Sequence, residues 1–173
     1  ILRSHALAAP RPQVKFDLSW QEDLPTSVLL DELRVEQILI NLLSNAVKFT
    51  TQGFIRLSVA SSAAPQAQQE LVFTVSDSGP GIAADQRQRI FETYVQANQP
   101  AESVHPGTGL GLSISRRLAQ GMQGRLELLA QVGLGASFSL SLPLMPSEAP
   151  VTSEPHPQLA SPVPRAPGTL PRW

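Results

Sequence analysis

The sequence predicts a single α/β domain, and three observations support this. A long amphipathic helix is indicated over residues 31–50, segments with a two-residue hydrophobic period flank it, and 42% of the 173 residues are hydrophobic. That share is sufficient for one compact core. The formal net charge is −1, and no dense run of Lys or Arg occurs. A nucleic-acid-binding surface is therefore not predicted.

Two absences from the sequence narrow the class of protein further. There is no cysteine, which excludes a disulfide framework, a thiolate metal site and a cysteine nucleophile. No apolar run approaches the roughly 20 residues of a membrane-spanning helix, and no signal peptide opens the chain. We therefore expect a soluble protein. Because the sequence begins at Ile1 and not at methionine, we also expect it to be an excised piece.

The first strand is predicted over residues 14–20, where Val14, Phe16, Leu18 and Trp20 alternate with polar residues. The helix over residues 31–50 follows, with Asp31 as its expected N-cap. Its apolar residues recur at the spacing of a buried helix face, and they are Val35, Ile38, Leu39, Leu42, Leu43, Ala46 and Phe49.

A polar stripe runs along the same helix, formed by Arg34, Gln37, Asn41, Asn45 and Lys48. Steps of three or four residues place these side chains on one side. A solvated face is the ordinary explanation, and spacing alone does not decide against it. Because asparagine is a poor helix former, two of them one turn apart favour a ligand-binding role. Neutral oxygen ligands beside a lysine suit a hydrated Mg²⁺ ion with phosphate attached.

A β-hairpin with a long loop is predicted next, from alternating segments at residues 54–60 and 71–75. The sequence DSGPGI, residues 77–82, follows the second segment. Gly79 and Gly81 allow a sharp turn and a close backbone approach, and a simple turn is the ordinary interpretation. Asp77 stands at the strand end, where its carboxylate is placed to accept a hydrogen bond from an exocyclic amine such as that of a purine.

A short helix is predicted over residues 85–91, and an aperiodic, mobile loop over residues 93–106. Gly107, Gly109 and Gly111 then open a further helix. Freed amides at a helix N-terminus bind phosphate, although a plain helix start is the ordinary alternative. Neither a Walker A motif nor a dinucleotide fingerprint is present. The apolar residues predicted to be buried on this helix are Leu110, Leu112, Ile114, Leu118 and Met122.

The last predicted element is a hairpin of residues 125–130 and 137–142, with Gly133 and Gly135 in its turn. Prolines crowd the chain from Leu142 onward, in a segment that is too poor in apolar residues to fold. The predicted domain therefore covers residues 14–145, between an approach segment at 1–13 and a disordered tail or linker at 146–173.

Five segments form a combined pattern in chain order, and they are NLLSNAVKFT, DSGPGI, IFETYV, GTGLGLSISRRLA and GLGASFSLSLP. Together they resemble the catalytic and ATP-binding domain of sensor histidine kinases, which belong with the gyrase, chaperone and MutL type ATPases. The resemblance covers residues 31–143. It implies a two-layer α/β sandwich, in which helices cover one face of a mixed β-sheet and ATP lies between the helices under a flexible lid.

The resemblance also implies roles for single residues. Asn45 would be the Mg²⁺ ligand, Asn41 would help to hold the ion or a bound water, and Lys48 would meet the phosphates. These three are the implied catalytic residues. Asp77 would bind the adenine amine, and residues 95–106 would form the lid, with Phe91 and Tyr94 at its base. The other implied nucleotide contacts are Gly79, Gly81, Ile82, Tyr94, Gly107, Thr108, Gly109, Leu110, Gly111 and Leu112.

The implied cofactors are ATP and Mg²⁺, and the implied activity is transfer of the γ-phosphoryl group to a histidine on a dimerisation domain absent from this sequence. A response-regulator receiver domain is the second implied partner, because Gln96 and the Pro-rich tail resemble hybrid kinases. We expect a monomeric, cytoplasmic domain of a homodimeric parent associated with the inner membrane.

Three departures from the family pattern are relevant to activity. Phe49 stands where tyrosine is common, Pro106 replaces a frequent glycine, and the lid stretch AESVHP carries His105 in place of Arg or Lys. A cation near the γ-phosphate stabilises transferred charge, so weak catalysis or outside help is expected. His5, His105 and His156 do not resemble a phosphoaccepting site. A degenerate regulatory module and a serine-phosphorylating anti-sigma kinase remain as alternatives.

Overall fold

The computed structural model describes residues 13–62, 69–93, 109–129 and 135–144. In these ranges the elements are β1 (Val14–Trp20), α1 (Glu32–Phe49), β2 (Gly53–Ser62), β3 (Glu70–Asp77), a 3₁₀ helix (Arg89–Phe91), α2 (Gly111–Gly121), β4 (Arg125–Leu128) and β5 (Ser137–Pro143). The strands form one sheet in the order β1-β2-β3-β5-β4. β1 and β2 are parallel and the other neighbours antiparallel, so the sheet is mixed, as predicted.

Helix α1 begins and ends close to the predicted positions. The Asp31 carboxylate accepts a hydrogen bond from the main-chain N–H of Arg34 at 3.1 Å, which satisfies a donor of the first turn. The six apolar residues from Val35 to Ala46 that were predicted to be buried are buried. Phe49 was also predicted to be buried, and this is wrong, since 41% of it is exposed. It is the last helical residue, and its ring lies 5.1 Å from Lys48 Nζ.

The core lies between the helices and one face of the sheet. Residues paired directly across antiparallel strands point to the same face, and Leu57, Val75 and Phe138 form such a row across β2, β3 and β5. All three contribute to one hydrophobic cluster with the buried faces of α1 and α2. The predicted two-layer α/β sandwich is thus confirmed.

The two helices run antiparallel and contact each other near both ends of α2. Near its beginning, Asn41 Nδ2 donates to Ser115 Oγ at 3.0 Å, and a Cβ atom added to Gly111 would overlap Asn41 Oδ1. At its end, a Cβ atom on Gly121 would lie 3.3 Å from the Arg34 guanidinium. The small residues of α2 thus allow a close approach to α1.

Two further predictions about the helices are wrong. Residues 85–91 do not form a helix, because only Arg89–Phe91 are helical and residues 84–88 form turns, with Gln86 N donating to the Ala83 carbonyl at 2.9 Å. So short a segment gains few helical hydrogen bonds for the cost of starting a helix. Ile114 is 44% exposed, because α2 turns Ser115 and Ala119 toward α1 and the core.

The hairpin strands extend beyond their predicted limits, to Ser62 in β2 and to Glu70 and Asp77 in β3. β5 ends at Pro143, whereas β4 ends at Leu128, two residues earlier than predicted. Several predicted features lie outside the described residues. They are the tail, the whole lid, the approach segment except residue 13, and Gly133. Within the described ranges, no helix has the length and apolar character needed to span a membrane.

Candidate nucleotide-binding site

Asp77 is the last residue of β3 and pairs with Ile55 on the helix-covered face of the sheet. It is 7% exposed. Its Oδ1 atom accepts hydrogen bonds from the main-chain N–H groups of Gly79 at 2.8 Å and Ala136 at 3.3 Å. Burial raises the pKa of Asp77 above its ordinary value, and the main-chain hydrogen bonds from Gly79 and Ala136, together with the nearby Thr50 hydroxyl, oppose that rise. The site therefore holds a buried carboxylate acceptor.

The glycine turn after Asp77 is packed too closely for larger residues. A Cβ atom on Gly79 would lie 2.9 Å from Asp77 Oδ1 and 3.1 Å from the Phe49 carbonyl oxygen. Gly81 has a φ of +74°, which disfavours side chains, and a Cβ atom there would lie 2.7 Å from the Gly135 carbonyl oxygen. Ile82 packs on the core. The turn therefore packs against both the C-terminus of α1 and the residues just before β5.

The polar stripe of α1 divides into two parts. Arg34 and Gln37 are exposed, whereas Asn41, Asn45 and Lys48 are half-buried. The Asn41 carboxamide is held by α2, through its hydrogen bond to Ser115 and its contact with Gly111. The Asn45 carboxamide makes no hydrogen bond with any described residue, and the Lys48 ammonium forms no ion pair within the same ranges. As far as the described residues are concerned, the Asn45 carboxamide and the Lys48 ammonium are therefore available to bind a ligand.

The beginning of α2 presents main-chain donors. Gly109 has a φ of +68°, and Leu110 occupies the N-cap position without a side-chain capping bond. The first helical hydrogen bond runs from Ile114 N to the Leu110 carbonyl at 3.0 Å. The N–H groups of Gly111, Leu112 and Ser113 thus precede the helical ladder, the arrangement that favours anions.

The predicted site residues converge on the C-terminal half of α1. The contact between Asn41 and Gly111 brings the stripe to the start of α2, and the proximity of Gly79 to the Phe49 carbonyl brings in the DSGPGI turn. Tyr94, Gly107 and Thr108 lie outside the described residues. Thr50 and Ala136 were not among the predicted site residues. For Ala136, the signal was the GLGA segment, which belonged to the family pattern but to which we gave only the structural role of a hairpin turn.

The donor chemistry of this site suits a magnesium ion held partly by phosphate. Within the described ranges, no group of three or more His, Cys, Asp or Glu side chains could hold a metal. A divalent cation would therefore rely on carboxamide oxygens, phosphate oxygens and water, a set that Mg²⁺ accepts. The half-buried Asn45 carboxamide fits such a role better than that of Asn41, which α2 already engages.

Three features together are typical of one class of nucleotide-binding domain. They are a mixed sheet with helices on one face, a buried carboxylate at a strand end, and a glycine-rich helix start without a side-chain cap. Residues 30–146 match the family described as "Histidine kinase-, DNA gyrase B-, and HSP90-like ATPase". The chain belongs to this family, and the predicted sensor histidine kinase type of ATP-binding domain is confirmed.

Known proteins similar to the chain include a virulence sensor protein and a hybrid signal transduction histidine kinase. The virulence sensor protein BvgS of Bordetella bronchiseptica is 44% identical over 143 residues, which are 81% of this chain and 11% of that protein. Hybrid signal transduction histidine kinase B of Dictyostelium discoideum is 36% identical over 121 residues, which are 70% of this chain and 6% of that protein. The chain thus spans a small part of both relatives.

A solved structure supports the same assignment. The crystal structure of full-length ShkA in complex with AMPPNP matches with a TM-score of 0.68 and 38% sequence identity. The match covers 86% of this chain and 30% of the ShkA chain. The fold and the family of this domain therefore agree between sequence and structure.

Proposed function

We propose that this domain binds Mg·ATP and transfers the γ-phosphoryl group to a histidine on a dimerisation domain outside this sequence. One observation carries the proposal, namely the convergence of three groups around the C-terminal half of α1. They are the buried carboxylate of Asp77, the amides and lysine of the polar stripe, and the uncapped start of α2. A purine, a hydrated cation and a polyphosphate require these chemistries.

Asp77 supports recognition of adenine. Its Oδ1 atom is occupied by two main-chain donors, so Oδ2 is the oxygen that would accept from the exocyclic amine. A hydrogen bond to a charged acceptor contributes about 1.5–3 kcal/mol, and leaving such a buried group unpaired costs a comparable amount. A nucleotide whose base lacks the amine would therefore bind more weakly.

Asn45, Asn41 and Lys48 support the handling of the triphosphate. The Asn45 carboxamide would ligate Mg²⁺, Asn41 would hold it or a water from its place beside Gly111, and Lys48 would neutralise phosphate charge. The bound ion would supply charge neutralisation on the phosphate oxygens. The N–H groups at the start of α2 would hold the phosphates in line for transfer, so the domain would act mainly by positioning.

The proposed partners follow from the family and from the relatives described above. The phosphoaccepting histidine would come from a dimerisation domain, which makes the parent a homodimer while this domain alone is monomeric. A relative named as a hybrid kinase supports a receiver domain as the second partner. We also propose that the domain works in the cytoplasm, as part of a sensor associated with the inner membrane.

The first experiment is calorimetric titration of the chain with AMPPNP, with and without Mg²⁺. We expect Mg²⁺-dependent binding, loss of the Mg²⁺ dependence in Asn45→Ala, and about 10-fold or greater weakening in Asp77→Asn. Gln37→Ala is the matched control, because Gln37 lies on the same stripe but is exposed. A folded wild-type chain that binds no AMPPNP would contradict the proposal.

A regulatory module without phosphotransfer is the second candidate, and the lack of Arg or Lys in residues 101–106 favours it. The test joins the chain to a dimerising histidine domain and follows phosphate from labelled ATP. Transfer to the histidine supports the kinase, whereas nucleotide binding without transfer supports the regulatory module. A phosphate that is stable to acid would indicate a serine acceptor, as in the anti-sigma type.

A further inference from the structure

The start of β5 lies directly against the residue proposed to bind adenine. Gly135 has a φ of +109°, which disfavours any side chain. A Cβ atom there would overlap the Asp77 carbonyl oxygen and would lie 3.1 Å from the Ser78 Cα atom. Only glycine therefore allows this segment to cross the end of β3 so closely.

Ala136 holds Asp77 through two hydrogen bonds beyond the end of the regular ladder. The pairing of β3 with β5 ends at Ser76 and Ser137. One residue further, Asp77 N donates to the Ala136 carbonyl at 2.9 Å, and Ala136 N donates to Asp77 Oδ1 at 3.3 Å. Both the main chain and the carboxylate of Asp77 are thus fixed by the same residue.

The turn that contains Gly79 and Gly81 also fixes the Asp77 carboxylate. Gly79 N, in the turn that follows β3, donates to Asp77 Oδ1 at 2.8 Å, and Gly81 lies against the Gly135 carbonyl oxygen. The wall formed by Asp77, Gly79 and Gly81 is therefore supported by residues 135–136. Because two donors occupy Oδ1, the carboxylate cannot rotate freely, and Oδ2 keeps one direction.

We propose that Gly135 and Ala136 are positioning residues that aim the Asp77 carboxylate and thereby set the preference of this site for a purine with an exocyclic amine. The inference rests on the proposed function, because it assumes that Asp77 accepts a hydrogen bond from the amine of the base. Gly135 acts by allowing the close crossing, and Ala136 acts by donating to Oδ1. Neither residue needs to touch the nucleotide.

The test separates base preference from stability. Dissociation constants of ATP and of ITP, which carries a carbonyl oxygen in place of the amine, are measured for the wild type and for Gly135→Ala. We expect the wild type to prefer ATP by about 10-fold or more, as a hydrogen bond to a charged group provides. Gly135→Ala is expected to lose most of that preference through weaker ATP binding, with ITP binding nearly unchanged.

Gly124→Ala is the matched control, because its Cβ atom would also overlap main chain, at the Ser141 carbonyl oxygen of β5. Ser141 pairs with Val72, five residues along β3 from Asp77 and thus roughly 17 Å away. This variant is expected to unfold at a lower denaturant concentration and to keep the ATP preference. A loss of preference that tracked stability alone would appear in both variants and would overturn the proposal.

Ala136→Pro provides a second approach in case Gly135→Ala fails to fold, because proline removes the donor to Oδ1 and keeps the carbonyl that accepts from Asp77 N. It is expected to lose the preference as well. Retention of the full ATP preference in a folded variant of either residue would overturn the inference. A wild type that binds ATP and ITP equally would overturn both this inference and adenine reading by Asp77, whereas a failure confined to the variants leaves the proposed function intact.

Discussion

Asp77 combines two properties that usually exclude each other, namely burial and an ionisable group. Its carboxylate is held by main-chain donors from its own turn and from a strand 59 residues later in the chain. Hydrogen bonding to the charged form lowers a carboxyl pKa, but the loss of solvent outweighs it here, and the pKa of Asp77 is raised. The ionised form needed to accept an amine therefore reduces the stability of the fold.

The pH dependence of stability follows from this shift. Below the ordinary pKa of 3.8 the carboxyl is protonated in both the folded and the unfolded state, so its burial carries no ionisation penalty. As the pH rises from there through the raised folded pKa, the penalty develops, and it is fully present above that folded pKa. We expect the free energy of unfolding of Asp77→Asn, relative to the wild type, to increase between about pH 3 and about pH 7.

Denaturant unfolding at a series of pH values measures this difference. Asp85→Asn is the control, because Asp85 lies exposed in the turn before the 3₁₀ helix. A stability difference between Asp77→Asn and the wild type that stayed constant across the pH range would contradict the assignment of the penalty to Asp77.

The position of Asp77 could be predicted from the sequence, but its environment could not. A carboxylate at a strand end before two glycines is a local pattern, so residues 77–82 were sufficient to identify it. The contacts with Thr50 and Ala136 depend on how β3 lies against α1 and β5, and no local pattern encodes that packing. The two residues were therefore missed.

At the scale of elements, the helix pair combines a long helix that periodicity predicts well with a shorter one that it predicts less well. The apolar period of α1 identified its buried face correctly up to its last turn. On α2, close packing against α1 favours Ser115 and Ala119, so small residues are buried while Ile114 is exposed. Hydrophobicity alone therefore does not identify a helix face that is buried because its residues are small.

A double-mutant cycle tests the contact between α1 and α2. The hydrogen bond from Asn41 Nδ2 to Ser115 Oγ is partly buried, and a bond of this kind contributes about 1 kcal/mol. We expect a coupling free energy of about 1 kcal/mol between Asn41→Ala and Ser115→Ala in denaturant unfolding. The pair Gln37→Ala and Ser115→Ala is expected to show none, because Gln37 is exposed and does not bond to Ser115. Strict additivity of the first pair would contradict the bond.

At the scale of the whole molecule, one cluster joins both helices to the inner face of the sheet. Leu140 of β5 lies in it with 0% exposure, and Leu33 in the first turn of α1 is 77% exposed. We expect Leu140→Ala to lower the free energy of unfolding by about 2–5 kcal/mol through lost burial and a residual cavity. Leu33→Ala should change it by less than about 0.5 kcal/mol.

Thermal or denaturant unfolding compares these two leucine variants directly. Because the substitution is the same, the two variants differ mainly in burial and, to a smaller extent, in secondary-structure propensity, since Leu33 is helical and Leu140 lies in a strand. Equal effects of the two would contradict the single core.

The order of strands in the sheet was beyond what residue patterns could provide. Alternation located each strand within a few residues, but it carries no information on which strands are neighbours or on the parallel pairing of β1 with β2. The two-layer arrangement was predicted through resemblance to a family.

The parallel pairing of β1 with β2 makes β1 a part of the folded domain. The family match starts at residue 30, after β1 has ended, yet β1 pairs with β2 over seven residues and contributes Val14 and Phe16 to the core. In this sandwich α1 is the crossover between two adjacent strands, so it is fastened to the sheet at both of its ends. A fragment cut at the start of the family match would retain every described residue of the proposed site and lose the strand that anchors the helix on which Asn45 stands. The physical unit therefore includes β1, although no residue of β1 takes part in the proposed chemistry.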